Sequence, residues 1–218
     1  MRKESAIILF GKFPREGFVK TRLAQSVGEE KALSFYQRCL RNIFAEAESI
    51  TSAHDVFFCF AEAEDEAAVK KLVPKSFKLI AQSKHELPIR IQEVFESVFQ
   101  CGYERVIIFP TDVPELSSKV MLQAADALKS SECVIGPDSD GGYYCLGMKT
   151  YNPKLLKTTY GVTIGMYTQT IENAIHNKIT WVALPEISDI DTIEDLKAFE
   201  LRNPLIWTRY YSDIFNGF

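Results

Sequence analysis

Six residues near the start of the chain combine the two properties that a phosphate-binding loop needs. They are Gly11, Lys12, Arg15, Gly17, Lys20 and Arg22. Basic side chains form charge-assisted hydrogen bonds with phosphate, and glycines let the backbone approach a ligand closely. The spacing is not that of a P-loop, because Gly17 is not followed directly by Lys and Thr. A solvated turn would account for one basic residue more easily than for four, so the segment predicts a phosphate-binding loop.

Acidic residues stand where apolar segments end, at positions suited to a divalent cation. Asp112 follows the apolar run 105–109 and lies between two prolines that stiffen the turn. Asp191 immediately precedes a predicted helix. Carboxylates in such places can hold Mg²⁺ or Mn²⁺, which prefer oxygen ligands. The alternatives are a turn-forming role for Asp112 and stabilisation of the helix dipole by Asp189 and Asp191.

A third group of polar residues lies in segment 136–144, between two predicted strands. Asp140 and Gly141 favour a tight turn. If Asp138 or Asp140 faces the same cleft as Asp112, its carboxylate could orient an acceptor hydroxyl or act as a general base. A purely structural turn is the simpler interpretation. We retain Asp140, together with Asp112, as a candidate catalytic residue.

The elements that must position these residues alternate between apolar strands and amphipathic helices. Strands are predicted at residues 6–10, 54–61, 77–81, 105–109, 133–135, 143–148 and 181–184. Two helices are predicted to follow capping boxes, one that starts at Ser26 and one at Thr192 that Asp195 completes. The other predicted helices cover 62–71, start near Pro88, start after Ser117 and lie within 163–175. The alternation predicts an α/β fold with one mostly parallel sheet and helices on both faces. Ligands bind outside the carboxyl ends of such strands, so the three polar segments should converge at one edge.

Composition limits the class of protein and its location. The chain has 218 residues and a net charge of −4, which argues against binding to nucleic acid or to an anionic membrane surface. No apolar run could span a membrane and residues 1–10 do not fit a signal peptide, so a cytoplasmic protein is expected. Five cysteines without a CxxC pair predict buried thiols. One domain is expected over 1–202, with an aromatic tail at 203–218 that packs on the body or, in a homodimer, on the partner subunit.

Four motifs occur in the order of a known family. They are FGKFPREGFVKTRL at 10–23, TDVPEL at 111–116, GPDSDGGYY at 136–144 and DIDTIEDL at 189–196. Over about residues 5–200 the chain resembles the small bacterial glycosyltransferase-like family associated with radical-SAM and selenium-related proteins. The resemblance implies the GT-A fold of nucleotide-diphospho-sugar transferases. The same superfamily includes the guanylyltransferases of molybdenum-cofactor and deazaflavin-cofactor synthesis.

The resemblance also implies roles for individual residues. The nucleotide-binding set would be Gly11, Lys12, Arg15, Gly17, Lys20, Arg22 and Arg90. Asp112 and Asp191 would hold Mg²⁺ or Mn²⁺, and Asp140 would lie on the acceptor side. The chain departs from the family pattern at Pro110, where glycine is common, and at Leu87–Arg90, where the family has Leu-Gly-Glu-Arg.

The implied activity is metal-dependent transfer from an activated nucleotide to a small-molecule acceptor. Glycosyl transfer from a nucleotide-diphospho-sugar, which releases a nucleoside diphosphate, is the first interpretation. Nucleotidyl transfer, which releases pyrophosphate, is the alternative, because both leaving groups need a divalent cation and basic side chains. A nucleotide-binding subunit without turnover is a third interpretation, motivated by the departure at Leu87–Arg90.

Overall fold

The apolar segments of the chain form the strands of one mixed sheet. The computed structural model describes residues 4–61, 66–157 and 164–215, and within them seven strands pair in a single sheet. The strands are β1 Ser5–Lys12, β2 Asp55–Ala61, β3 Lys78–Ala81, β4 Arg105–Pro110, β5 Cys133–Pro137, β6 Tyr143–Met148 and β7 Trp181–Ala183. Their order is β3-β2-β1-β4-β6-β5-β7, and β6 runs antiparallel to both of its neighbours. The other pairs are parallel, so the predicted mostly parallel sheet is confirmed.

Helices cover both faces of this sheet. They are α1 Thr21–Val27, α2 Glu29–Ser49, α3 Glu66–Leu72, α4 Leu87–Gln100, α5 Ser118–Ser130, α6 Met166–His176, α7 Ile193–Arg202 and α8 Pro204–Tyr210. Successive strand residues point to opposite faces. Ile7 and Leu9 of β1 accordingly pack in one apolar cluster with α2 and α5, whereas Ile8 packs in another with α4 and α6. The predicted α/β layering is therefore confirmed.

One predicted helix start is wrong. A capping box at Ser26 was expected to begin a long helix, but Ser26 lies inside α1. The break comes two residues later at Gly28, whose φ of 87° suits glycine and turns the chain between α1 and α2. With only seven residues, α1 is too short for its apolar period to stand out. Of the basic residues in the first segment, only Arg22 is therefore helical, and Lys20 lies immediately before α1.

The other predicted boundaries agree closely with the structure. Strand ends differ from the predicted ones by at most two residues. The second predicted capping box is confirmed, because the Thr192 hydroxyl accepts from the Asp195 backbone N–H and the Asp195 carboxylate accepts from Thr192 N–H. Residues 62–65 of the predicted helix 62–71, and Thr163 at the start of another, lie outside the described residues.

The end of the chain packs against the helices on one side of the sheet. Tyr211 and Phe215 are buried against Phe35 of α2, with ring centroids 5.1 and 6.1 Å away, respectively. Residues 216–218 of the predicted tail lie outside the described residues. The division of the chain after residue 202 stays a prediction.

The five cysteines are free thiols, and all but Cys101 are buried. Burial raises the pKa of the Cys59 thiol to about 12, so this group is not a reactive thiolate at neutral pH. None of the described helices is long and apolar enough to cross a membrane.

Candidate functional site

The carboxyl ends of β1 and β4 open into a cleft of about 420 Å³, here called the first cleft. The predicted site residues that line it are Gly11, Lys12, Lys20, Arg22, Arg90, Asp112 and Asp191. Arg15 and Gly17 are not among the lining residues, although both lie in the same segment. Because parallel strands end at the same edge of the sheet, residues that are up to 180 positions apart in the sequence meet in this cleft.

Three carboxylates meet in this cleft. Asp112 follows β4, Asp189 and Asp191 precede α7, and each offers an oxygen within 4.8 Å of the others. Three oxygen donors at this separation match the donor set that a small divalent cation requires. The sequence analysis gave Asp189 only one role, stabilisation of the helix dipole. Its position two residues before Asp191 was the available signal, since both lie in one extended loop.

The ammonium group of Lys20 lies among the same carboxylates. Its Nζ atom is 2.7 Å from Asp112 Oδ2, 2.9 Å from Asp191 Oδ1 and 3.9 Å from Asp189 Oδ2. The side chain is only 2% exposed, and Lys20 precedes α1 in a left-handed backbone conformation (φ 47°). Sequence reasoning assigned Lys20 to phosphate. The structure adds that it neutralises part of the carboxylate cluster.

The ionisation of these groups is coupled. Burial alone lowers the pKa of Lys20, but the neighbouring Asp112, Asp191 and Asp189 carboxylates outweigh it and raise the pKa above its ordinary value. Burial also raises the pKa of Asp189 to about 7; the Lys20 charge opposes this rise, and Asp112 and Asp191 add to it. Lys20 is therefore charged at neutral pH, and Asp189 is less acidic than an ordinary aspartate.

A hydrogen-bonded group supports the floor of the first cleft. The Lys12 backbone N–H donates to the Tyr36 hydroxyl over 2.8 Å, and that hydroxyl lies 2.9 Å from Thr111 Oγ1. A side chain at Gly11 would collide with the Thr111 hydroxyl, so this position requires glycine for packing. These contacts join α2 to the ends of β1 and β4. Tyr36 and Thr111 gave no separate signal in the sequence.

Arg90 is held at the edge of the cleft by a glutamine. Its Nη1 donates to Gln82 Oε1 over 2.8 Å, and Gln82 Nε2 donates to the carbonyls of Gly11 and Cys59 over 2.8 and 2.9 Å. The first turn of α4 and the end of β1 are thereby linked. Arg90 keeps its place in the cleft despite the altered residues just before it in the sequence.

The remaining basic side chains differ in their surroundings. Arg22 is 73% exposed and lies 3.5 Å from Asp191, so its guanidinium is accessible at the rim. Lys12 Nζ donates to the Phe18 carbonyl over 3.1 Å. The Arg15 guanidinium stacks 3.5 Å above the centre of the Phe18 ring. Lys12 and Arg22 therefore present charge to the cleft, whereas Arg15 contacts an aromatic ring beside it.

A smaller cavity of about 250 Å³, here called the second cleft, adjoins the first. Asp138 and Asp140 line it, and Asp189 lines both clefts. The Asp140 carboxylate accepts from Gly142 N–H over 2.8 Å, and Asp138 Oδ2 accepts from Asp189 N–H over 3.2 Å. The predicted turn at Asp140–Gly141 is present, with φ 88° at Gly141. Asp140 is thus placed beside the second cleft and not among the three clustered carboxylates.

Residues 45–160 of the chain match a family described as an uncharacterized protein conserved in bacteria, DUF2064. This segment is more than half of the chain. The chain belongs to the DUF2064 family. The segment that matches DUF2064 includes Arg90, Asp112, Asp138 and Asp140 but neither the basic segment nor Asp191. The expected association with radical-SAM and selenium-related proteins stays a prediction.

Solved structures similar to this DUF2064 member share its fold. A candidate nucleotide-diphospho-sugar transferase from Desulfovibrio desulfuricans G20 is 26% identical, with a TM-score of 0.86 over 96% of this chain and 92% of that chain. A 4-diphosphocytidyl-2C-methyl-D-erythritol synthase from Anaerococcus prevotii is 13% identical, with a TM-score of 0.59 over 92% of this chain and 98% of that one. A CMP:2-keto-3-deoxy-manno-octonic acid synthetase, solved with CTP, is 12% identical, with a TM-score of 0.53 and the same coverage. No curated protein matches the sequence.

These similarities establish the fold class of this DUF2064 protein. It has the fold of nucleotide-diphospho-sugar transferases, as the four sequence motifs implied. The synthase and the synthetase are too distant in sequence to extend the likeness beyond the fold.

Proposed function

We propose that the protein is a metal-dependent transferase that acts on an activated nucleotide. The observation that carries this proposal is the composition of the first cleft, in which basic side chains and three clustered carboxylates share about 420 Å³. The phosphates of a nucleoside diphosphate need cations around them, and clustered carboxylates are suited to hold a metal ion as one of those cations. Similarity to the Desulfovibrio protein supports the same class.

Asp112, Asp189 and Asp191 would hold Mg²⁺ or Mn²⁺. The donor set fits, because all three ligands are carboxylate oxygens within one ion's reach of each other. When bound, such an ion stabilises the negative charge that develops on a phosphate leaving group. Lys20 contacts two of the same carboxylates. When the ion binds, these carboxylate oxygens would either exchange Lys20 for the ion or keep Lys20 beside it as a second positive charge.

The basic side chains would bind and orient the nucleotide. Lys12 and Arg22 approach the cleft from the segment after β1, and Arg90 approaches it from α4. Lys12, Arg22 and Arg90 contact the Phe18 carbonyl, the Asp191 carboxylate and the Gln82 side chain, respectively. Asp140, beside the second cleft, would orient the acceptor.

Glycosyl transfer is the first candidate reaction, since the Desulfovibrio relative bears the name of a sugar transferase. Nucleotidyl transfer is the second candidate, favoured by the fold that the chain shares with the 4-diphosphocytidyl-2C-methyl-D-erythritol synthase and the CMP:2-keto-3-deoxy-manno-octonic acid synthetase. The first reaction would release a nucleoside diphosphate and the second pyrophosphate. A subunit that binds nucleotide without turnover would release neither.

The test is a thermal-shift panel of nucleoside triphosphates and nucleotide sugars, with and without Mn²⁺. At a ligand concentration 100-fold above Kd, we expect one nucleotide class with Mn²⁺ to raise Tm by about 5–10 °C. Failure of every nucleotide to raise Tm, with either Mn²⁺ or Mg²⁺, would contradict the proposal. Analysis of the released product then separates the two transfer reactions.

A further inference from the structure

The second cleft differs in chemistry from the first. Its apolar wall includes Phe10, Ile91, Ile108, Tyr143, Tyr144 and Met166. Burial of apolar ligand surface against such a wall supplies non-directional affinity. A cavity of about 250 Å³ accommodates a small molecule with a ring or a short branched chain.

The charged residues of the second cleft all have the same sign. Among the described residues that line it, the charged side chains are those of Asp138, Asp140 and Asp189, and no lysine or arginine is present. Asp138 Oδ2 and Asp140 Oδ1 each accept one backbone hydrogen bond, from Asp189 N–H and Gly142 N–H, and their remaining lone pairs can accept from a hydrogen-bond donor or a cation on the ligand. A carboxylate or phosphate on the ligand would instead meet the like charges of Asp138 and Asp140.

The two clefts are continuous. Phe10, Leu87, Pro110 and Asp189 line both of them. A ligand in the second cleft therefore lies directly beside whatever occupies the first. Lys20, whose Nζ lies 3.9 Å from Asp189 Oδ2, lines only the first cleft.

We propose that the second cleft binds the acceptor, and that this acceptor has an apolar body with an uncharged or cationic polar end, either a hydroxyl or an amine. Acceptors that carry a carboxylate or a phosphate at that end are rejected. The proposal rests on the transferase function proposed above, because only that function makes the ligand of this cleft an acceptor.

The test uses three probes with one phenol ring and different ends: tyramine, 2-(4-hydroxyphenyl)ethanol and 4-hydroxyphenylacetate. Binding is followed by NMR of the protein labelled with ¹³C at its methionine methyl groups. Met166 lines the cleft, whereas Met121 and Met148 are fully buried and serve as internal controls. Met166→Leu assigns the reporter signal.

We expect the amine and the alcohol to shift the Met166 signal, with the acid binding at least ten-fold more weakly than the amine. Asp140→Asn keeps an acceptor for the Gly142 N–H and should narrow the preference for amine over acid by at least three-fold. Asp126→Asn, on the exposed face of α5, should leave that preference unchanged. Equal binding of acid and amine, or no Met166 shift with any probe, would overturn the proposal. The assay contains neither nucleotide nor metal, so its failure is distinct from failure in the nucleotide panel.

Discussion

The two clefts share four residues yet differ in charge. The first combines Lys12, Lys20, Arg22 and Arg90 with carboxylates, whereas the charged residues described around the second are all acidic. Asp189 belongs to both clefts. In the proposed function, this difference would separate a polyanionic donor from an acceptor along one sheet edge. The cations line the first cleft, where the donor phosphates would bind, and the second cleft offers apolar surface with carboxylates instead.

The largest effect is expected from removing Lys20, the cation buried between the carboxylates. Lys20→Met leaves Asp112, Asp189 and Asp191 facing one another with only the exposed Arg22 guanidinium nearby. Because these carboxylates are partly exposed, we expect the free energy of unfolding in urea to fall by about 2 kcal/mol, less than for a fully buried pair. Mn²⁺ should restore part of the loss. Lys129→Met, which removes an exposed pair with Asp126, should cost no more than about 0.5 kcal/mol. Equal stability of the two variants would contradict the account.

Gly11→Ala should disturb the floor of the first cleft and spare the second. The added methyl group meets the Thr111 hydroxyl, and overpacking of this kind costs about 1–3 kcal/mol. Urea unfolding measures the loss, and nucleotide binding should weaken with it. In the double variant with Thr111→Ala, part of the stability should return. An additive loss in the double variant would show that the contact with Thr111 is not the cause.

Arg22→Ala should weaken nucleotide binding without unfolding the chain. A charge-assisted hydrogen bond contributes about 1.5–3 kcal/mol, so the Kd should rise about ten-fold or more. Arg22 is largely exposed, and the free energy of unfolding should change by less than about 0.5 kcal/mol. Arg41→Ala, an exposed change on α2, is the matched control. If calorimetry gives the same Kd for Arg22→Ala and the control, Arg22 does not contribute to nucleotide binding.

Arg15→Ala is expected to have the smallest effect. Arg15 contacts the Phe18 ring and is absent from the lining of the first cleft. Loss of a cation–π contact near the surface costs about 0.5–1 kcal/mol, so even if the whole loss fell on binding, the nucleotide Kd should rise by no more than about five-fold. A ten-fold rise in the same calorimetric titration would mean that Arg15 contacts the phosphates, as the sequence motif implied.

Much of this arrangement could be predicted from the sequence, because it follows from local patterns and one topological rule. The apolar run before Asp112 and the capping box after Asp191 identify two segment ends. Parallel strands then place those ends at the same edge. The fold class and the neighbourhood of the candidate site therefore follow without coordinates.

Other features depend on contacts that no local pattern contains. The ion pair between Lys20 and Asp191 spans 171 positions, and Lys20 lies immediately before α1, a helix that the sequence analysis did not predict. The contact of Tyr36 with Thr111 is equally remote. The sequence analysis gave Asp189 only a role at the helix dipole. Its position in the lining of both clefts depends on packing, which no local pattern contains.

The central claim is that the carboxylates of the first cleft hold a divalent cation on which nucleotide binding depends. Asp112→Asn and Asp191→Asn preserve size and most hydrogen bonding but remove the charge. The decisive measurement is the Kd of the nucleotide found by the thermal-shift panel, with and without Mn²⁺, in both variants, wild type and the Asp126→Asn control. We predict that Mn²⁺ lowers the Kd at least ten-fold in wild type and control and has no effect in either variant. An undiminished Mn²⁺ effect in both variants would contradict the claim and leave these residues as turn and ion-pair partners.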